Sequence, residues 1–288
     1  MAVDNAPAGV LNTYAPLEEV KSRGGIATTT NDASLWLALH GASRAIDRIC
    51  NRHFFTLFVS RAFDVRDAAQ IVLPDLATVT AVREDTDGDR VFETTRTSSD
   101  YLLYPPNAEP TQPWGRPYNS ILADPQGTTP TFTLGRRRVQ IEGEWTYRRH
   151  VEDTGADLNV GGPLGAGATT ITVTDGTLIS PGQTVLLESE QIYVRNVATN
   201  VLTVVRAVNG TSAVTHVDGI GVSVFRYPAE VSEAAILMAA RLWKRKDSPY
   251  GGTAGARRFG SVEATPGIDP DAEALLGPLR RLPLSVAV

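Results

Sequence analysis

The sequence is short of cysteine, of lysine and of long apolar runs, and these shortages exclude several classes of protein. The single cysteine, Cys50, has no partner for a disulfide within the chain, which excludes a scaffold held together by disulfides. No uncharged apolar run approaches the roughly 20 residues that a membrane-spanning helix needs. The N-terminal residues MAVDNAPAG lack the basic and apolar regions of a secretion signal. We therefore expect a protein made in a reducing compartment, with no membrane partner.

The charge balance gives no sign of a nucleic-acid-binding surface. The chain has 27 basic and 32 acidic residues and a formal net charge of −5, whereas binding to phosphate leaves a basic footprint. The basic runs at 136–138 and 257–258 are short and local. All but three of the basic residues are arginine. This favours contacts at protein interfaces, although the base composition of a genome would produce the same bias.

Four segments carry the sequence signals of helices. The residues before the first of them are predicted to form an extended arm. Proline at the first helical position, capping residues and a following Gly-Gly pair mark helix ends, and apolar residues at helical spacing mark buried faces. The stripe of Val231, Ala235, Met238 and Leu242 is an example. The predicted arm covers 1–15, and the predicted helices cover 16–25, 31–51, 228–246 and 269–282.

Most of the remaining chain has the pattern of strands. Aromatic and β-branched residues predict extended segments between 54 and 82, in which Pro74 marks an edge or a bulge. Residues 84–93 predict a hairpin with Asp87-Gly88 as its turn. The alternation in 137–147 predicts a half-buried strand. The proline-rich residues 104–130 are expected to form an ordered loop or an extended excursion.

A change in composition marks an inserted domain at residues 158–225. The glycine-rich entry at 161–168 is followed by five short segments of alternating residues, with turn residues between them. This predicts a small all-β barrel or sandwich, which we expect to project outward. The predicted fold class is α+β: an antiparallel helix bundle with β-hairpin and sheet elements, plus the inserted domain. The connector core covers 1–157 and 226–256, and a C-terminal arm with a short helix covers 257–288.

No motif for catalysis, metal binding or cofactor binding is complete. None of the four histidines has a metal-binding spacing, and no Gly-x-Ser-x-Gly elbow is present. Asp85-x-Asp87-x-Asp89 resembles the start of a calcium loop, but Arg90 and Arg96 occupy the positions of its glycine and its bidentate glutamate. The glycine-rich stretch lacks the Lys-Ser/Thr of a phosphate loop. We therefore predict no cofactor, and we expect an assembly protein rather than an enzyme.

The order of several segments resembles the head-to-tail connector (adaptor, or head-completion) proteins of long-tailed bacteriophages. Six segments carry this resemblance and together cover most of the chain outside 158–225. They are YAPLEEVKSRGGI (14–26), LWLALHGASRAIDRICNRHF (35–54), LPDLATVTAVREDTDGD (73–89), SDYLLYPPNAEP (99–110), RRVQIEGEWTY (137–147) and PAEVSEAAILMAARLWKRKDSPYG (228–251). The inserted segment is similar to small β domains of phage virion and tail proteins, and many connectors lack such an insertion.

The resemblance implies a structural virion protein that forms a ring, usually of twelve copies, beneath the portal. Such a ring extends the DNA channel and joins the DNA-filled head to the tail. The implied partners are further copies of this chain, the portal protein and a stopper or tail-completion protein, while DNA passes through without specific binding. The implied location is the head-tail neck of the virion, after synthesis in the host bacterial cytoplasm.

Two groups of residues are predicted to meet these partners. The C-terminal arm is expected to bind the portal through Leu275, Leu276, Leu279, Arg280, Arg281 and Leu282, unless its helix packs on its own subunit. The acidic hairpin is expected to face the channel or the tail with Asp85, Asp87 and Asp89. The alternative functions are a tail or baseplate component whose β module binds a host-surface glycan, and a cytosolic hydrolase with an unrecognised site.

Overall fold

A computed structural model describes residues 6, 7, 9–245 and 269–281. The chain divides into two compact units. The first unit consists of Met1–Asn51, Glu152–Val208 and Ser212–Val288, and the second of Arg52–Val151 and Asn209–Thr211. Among the described residues, no helix combines the length and hydropathy needed to cross a bilayer.

The first unit contains the four described helices, which pack against one another. They are α1 (Leu17–Gly24), α2 (Asp32–Cys50), α3 (Ala229–Lys244) and α4 (Pro270–Leu276). Gly25 ends α1 with a left-handed φ of 66°, as the Gly-Gly signal predicts. Leu242 of the predicted stripe is exposed, and Ala239 is buried in its place. The buried stripe therefore follows residues 231, 235 and 239, where small side chains allow α3 to pack closely.

The second unit is built on an antiparallel sheet with strands in the order β1-β6-β2-β5-β4, and β3 pairs with β2. The strands are β1 (Leu57–Val65), β2 (Gln70–Glu84), β3 (Thr94–Arg96), β4 (Tyr101–Tyr104), β5 (Tyr118–Ala123) and β6 (Gly135–Trp145). The predicted alternation of β6 is confirmed, because Val139, Ile141 and Trp145 lie in the core of this unit. The predicted irregularity at Pro74 is also confirmed, since the register of β2 against β5 shifts between Val72 and Leu76.

A second antiparallel sheet belongs mainly to the first unit and closes on itself. Its strands are β7 (His150–Asp157), β8 (Thr170–Thr172), β9 (Thr184–Leu187), β10 (Glu190–Ala198), β11 (Val201–Val205) and β12 (Gly221–Arg226). Their order is β7-β12-β9-β10-β11-β8, and a bridge between Leu158 and Val173 joins the two ends. The Asn159 N–H donates to Thr172 O at 2.8 Å beside this bridge. The sheet is therefore a small barrel around an aliphatic core.

The α+β prediction is confirmed in part. Four helices and two antiparallel sheets are present among the described residues, but most of the regular structure is strand, so a helix bundle describes only part of the first unit. The barrel begins with β7 at residue 150, before the predicted start of the inserted domain. The assignment of the core, the inserted domain and the arm as separate domains stays a prediction.

Of the predicted arm, the structure describes residues 6, 7 and 9–15, and these are packed against the rest of the first unit instead of forming a loose arm. Thr13 Oγ1 donates to Gly182 O of the barrel at 3.1 Å, and the Tyr14 N–H donates to Ser43 Oγ of α2 at 3.0 Å. The Ala6 N–H donates to Arg195 O of β10 at 3.2 Å. The segment thus bonds to the barrel and to a helix within one unit. The barrel is consequently joined to the helices instead of projecting as an isolated module.

Gly182 allows the barrel to approach Trp36 of α2 closely. Its φ is 97°, and a Cβ atom there would lie 2.9 Å from Cη2 of Trp36 and 3.0 Å from Oγ1 of Thr13. A side chain at this position is therefore both strained and obstructed. This contact makes the joint sensitive to one added methyl group.

We predict that Gly182→Ala lowers the free energy of unfolding by about 1–3 kcal/mol, because alanine would occupy a left-handed conformation against Trp36. Denaturant titration followed by tryptophan fluorescence measures the change. Gly167→Ala is the matched control, since a Cβ atom there meets nothing within 4 Å. Equal stability of the two variants would show that the joint tolerates the added group.

Candidate functional site

The acidic loop, residues 85–93, connects β2 to β3 in the second unit. The paired residues are 82–84 and 94–96, so the predicted hairpin exists but has a longer loop than the two-residue turn predicted from Asp87-Gly88. Asp87, Asp89 and Glu93 are exposed, whereas Asp85 is only 1% exposed. The loop therefore presents negative charge to solvent through Asp87, Asp89 and Glu93, whereas the Asp85 carboxylate is buried.

Asp85 holds the loop in shape. Its carboxylate accepts hydrogen bonds from the Gly88 N–H at 2.5 Å and the Arg90 N–H at 3.0 Å, and it pairs with Arg138 Nη1 at 3.1 Å. Burial raises the pKa of Asp85, but the two N–H groups and the Arg138 guanidinium outweigh this effect and hold the pKa below its usual value. Of the three predicted outward-facing aspartates, Asp85 thus points inward.

The acidic loop contains a set of oxygen atoms with the spacing of a cation site. One carboxylate oxygen each from Asp85, Asp87, Asp89 and Glu93 lies within 4.8 Å of the others. Oxygen donors of this kind suit calcium. However, both oxygens of Asp85 already accept N–H groups, and Glu93 accepts from the Thr86 N–H at 2.9 Å. The bonds within the loop therefore account for much of this clustering without an ion.

The predicted portal-binding residues lie at the end of the first unit. α4 continues into a 3-10 turn (Gly277–Leu279), and α4 contacts both α3 and α2. Leu276 is fully buried and Leu279 is 8% exposed, while Leu275 is half-buried. The two buried leucines are covered by their own chain, because they complete its helical core. They are consequently not presented to a partner in this arrangement.

The two arginines of this group make polar contacts within their own chain. Arg280 is exposed and pairs with Glu273 at 3.0 Å, and the Arg281 N–H donates to Cys50 O at 2.8 Å. Asp269, which caps α4, lies 3.8 Å from Arg241 of α3. Leu282 lies outside the described residues. Binding of the portal by these residues stays a prediction.

A buried charged network in the barrel was not identified from the sequence. Glu190 is fully buried and forms a two-pronged ion pair with Arg206, with both N–O distances at 2.6 Å. His216 is also fully buried, with Nε2 2.8 Å from Glu190 and Nδ1 2.8 Å from Glu188. In the sequence, His216 has no metal-binding spacing and gave no sign of these partners. A signal in the sequence was that Glu190 comes directly before the apolar run Ile192, Tyr193 and Val194, which indicates a buried strand.

This network fixes the loops at one side of the barrel. Glu190 also accepts from the Ala207 and Val214 N–H groups, at 3.0 and 3.2 Å. Burial raises the pKa of Glu190, but the hydrogen bonds from Arg206, from His216 and from these two N–H groups lower it to about 2. The carboxylate is therefore charged at neutral pH and holds both ends of the 207–214 loop.

Comparison with known proteins gives structural similarity but no family. No protein-family model matches the chain, and no curated protein matches it. The chain is similar to a protein in the neck of the empty GTA particle computed with C6 symmetry (17% identity, TM-score 0.44). It is also similar to one in the neck of the native GTA particle computed with C12 symmetry (17% identity, TM-score 0.43). Both alignments cover 99% of this chain and 97% of the other.

A third solved structure is the virion of the native gene transfer agent (GTA) particle. Its matching chain is 15% identical, with a TM-score of 0.39, and the alignment covers 99% of this chain and 96% of that one. Identities and scores of this size do not establish a common family.

We predict that Glu190→Gln destabilises the protein by about 3–5 kcal/mol at neutral pH, because it leaves the buried Arg206 without a counter-charge. Thermal and denaturant unfolding measure the change. Glu18→Gln is the matched control, since Glu18 is an exposed glutamate outside this network. A Glu190→Gln variant as stable as the control would contradict the structural role of the network.

The free energy of unfolding should also depend on pH through Glu190. The pKa of Glu190 is about 2 in the folded chain, below that of an unfolded glutamate, so its contribution is full above about pH 4.3 and is lost as the pH falls toward 2. Unfolding free energies measured across this range should fall more steeply for the natural chain than for Glu190→Gln. Parallel curves would show that Glu190 binds its proton equally in both states.

Proposed function

We propose that this protein is a structural component of a phage-type virion neck. In this role, several copies form a ring beneath the portal, extend the DNA channel and join the head to the tail. The ring contacts the portal on one side and a stopper or tail-completion protein on the other. In this role the protein acts through its shape and its position in the ring, and it requires no cofactor and no turnover of a substrate.

The observation that carries this proposal is the way in which the resembling segments fold. The segments at 14–26, 35–54 and 228–251 are far apart in the sequence, yet α1, α2 and α3 from these segments pack together in the first unit. The segments at 73–89, 99–110 and 137–147 contribute strands to the sheet of the second unit. Within each unit, the segments that carry the resemblance thus pack on one another, while 158–225 supplies most of the barrel.

The charge of the chain suits a channel through which DNA must slide. A ring wall that held phosphate tightly would slow the passage of DNA, and the net charge of −5 avoids this. A closed ring also needs two different complementary faces on every copy. Most of the basic residues are arginine. Arginine suits such faces, because its planar guanidinium group binds carboxylates in two-pronged pairs.

The barrel gives little support to the alternative of a glycan-binding tail component. Sugars are commonly bound by stacking on exposed aromatic rings. Residues 158–225 are all described, and their two aromatic residues, Tyr193 and Phe225, are both buried. In the proposed neck protein, the barrel instead forms part of the wall of the ring, because Thr13, Tyr14 and Gly182 join it to the helices.

We predict that purified particles contain this protein in about the same number of copies as the portal, as a ring in the neck. Quantitative mass spectrometry gives the ratio, and electron microscopy of the neck gives the position. Absence from mature particles, or conversion of a substrate by the purified protein, would overturn the proposed function.

The C-terminal residues provide a test of the portal contact. A chain that ends at residue 245 should remain folded but lose most of its binding to portal-bearing capsids, whereas a chain that ends at residue 282 should bind normally. Circular dichroism checks the fold and co-sedimentation measures binding. Because truncation uncovers the surface beneath Leu276, the variant Arg280→Glu supplies a milder change at an exposed position. Normal portal binding by the chain that ends at residue 245 and by the Arg280→Glu variant would exclude this segment as the portal contact.

A further inference from the structure

Strand β1 is an open edge of the sheet in the second unit. It pairs with β6 on one side, and among the described residues no strand pairs with its other side. It has nine residues, which is long for a strand, and none of them is proline or lysine. The strand at the other end of the sheet order, β4, has only four residues, and Pro105 and Pro106 follow it and limit further pairing. β1 is therefore the longer and less protected of these two edges.

The ladder between β1 and β6 shows which backbone groups face this edge. Arg138 O accepts the N–H that follows β2 at 2.9 Å, so the backbone of Arg138 points toward β2. Backbone direction alternates along a strand, and Ile141 therefore points the other way, toward its partner Arg61 on β1. Because Arg61 in turn points toward β6, its neighbours Ser60 and Ala62 direct their N–H and C=O groups to the open edge.

These outward backbone groups are free within the described part of the chain. Ser60 and Ala62 each present one N–H and one C=O, and no hydrogen bond joins these groups to a described residue. The edge is covered only beside them, at Phe58, because a Cβ atom on Gly210 would lie 2.0 Å from Phe58 O. Ser60 is exposed and Ala62 is half-buried. An extended segment of another molecule can therefore reach both residues.

Arg61, between these two residues, is a half-buried arginine without a counter-charge. Its guanidinium lies 4.6 Å from the centre of the ring of Trp145, which is fully buried. Among the described residues no carboxylate pairs with Arg61, and burial lowers the pKa of its guanidinium. An arginine that is held against an aromatic ring and partly removed from water gains from a carboxylate supplied by another molecule.

The two acids of the neighbouring strand β6 do not supply this carboxylate. Glu142 and Glu144 alternate with Ile141, which lies opposite Arg61, so they are on the other face of the sheet. Both already pair with other arginines, at 2.8 Å for Glu142 and 2.6 Å for Glu144. The unmet charge and the unmet backbone groups thus lie on the same three consecutive residues of β1.

We propose that β1 binds an extended acidic segment of another protein, which adds a strand to this edge and places a carboxylate on Arg61. Backbone hydrogen bonds to Ser60 and Ala62 supply the affinity, and the ion pair supplies the selectivity. A second copy of β1 fits less well, because it brings another Arg61 and its Asp64 already accepts the Arg137 N–H at 2.9 Å. This inference goes beyond the proposed function, since it requires neither a ring nor a portal.

Peptide binding to the purified full chain tests the ion pair. The probes are a peptide of about nine alternating threonine and valine residues with one central glutamate, and twins that carry glutamine or lysine at that position. The natural chain should bind the glutamate peptide at least about fivefold more tightly than the glutamine twin. Arg61→Gln should remove this preference, and Arg61→Glu should prefer the lysine twin. Isothermal titration calorimetry measures the affinities.

Ala62→Pro tests the backbone contacts. It removes an outward N–H and leaves the hydrogen bonds to β6 in place, so the chain should fold but bind every peptide at least about tenfold more weakly. Ala62→Thr keeps the N–H and is the matched control, which should bind normally. Circular dichroism checks the fold of both variants. In the natural chain, hydrogen exchange at the N–H groups of Ser60 and Ala62 should slow at least about tenfold when the glutamate peptide is bound.

Four results would overturn the proposal. The first is that neither the glutamate peptide nor its glutamine twin binds. The second is equal binding by Ala62→Pro and Ala62→Thr, with unchanged hydrogen exchange at Ser60. The third is tighter binding of both peptides by Arg61→Gln, which would show that Arg61 protects the edge from pairing. The fourth is self-association of the natural chain that Ala62→Pro abolishes, which would assign the edge to a second copy. These results leave the proposed function untouched, because that function is tested in particles.

Discussion

The pairing of β7 with β12 is the constraint on which the first unit depends. This unit is assembled from separate stretches of the chain, and the barrel lies between them in sequence. Because β7 and β12 are neighbours in the closed sheet, the chain enters and leaves the barrel at adjacent positions. Glu152 and Arg226, one on each strand, form an ion pair at 2.7 Å at this point. The residues after β12 then lead directly into α3, which packs on α1 and α2.

The barrel adds a second level of constraint through its buried charges. An ion pair inside a small barrel is stabilising only where hydrogen bonds satisfy all of its atoms, because removing charges from water is unfavourable. Glu190 meets this condition through Arg206, His216 and two backbone N–H groups. The same atoms hold a loop that carries no strand of its own. The network therefore holds both ends of the 207–214 connection against the strand that carries Glu190.

The exposed charges show a different use of the same residue types. Arg96 and Glu84 are buried together at 2.7 Å and tie strands β2 and β3 to the backbone of the following loop, where Arg96 binds Thr129 O at 2.8 Å. Arg66, Arg136 and Arg137 are exposed and form no such buried ion pair among the described residues.

Residue spacing by itself determined the helices, the alternation of β6, the irregularity at Pro74 and the presence of several short strands within 158–225, because these depend on neighbouring residues, whereas the closure of these strands into a barrel was visible only in the structure. The amino-acid composition also gives the net charge and the single cysteine. Only the tertiary structure decided that the N-terminal residues bond to the barrel, that Leu276 and Leu279 are covered by their own chain, and that Asp85 points inward. It alone brought Glu190, Arg206 and His216 together. The physical reason is that each of these contacts joins residues with no periodic relation in the sequence, so that burial and pairing depend on where the folded chain returns.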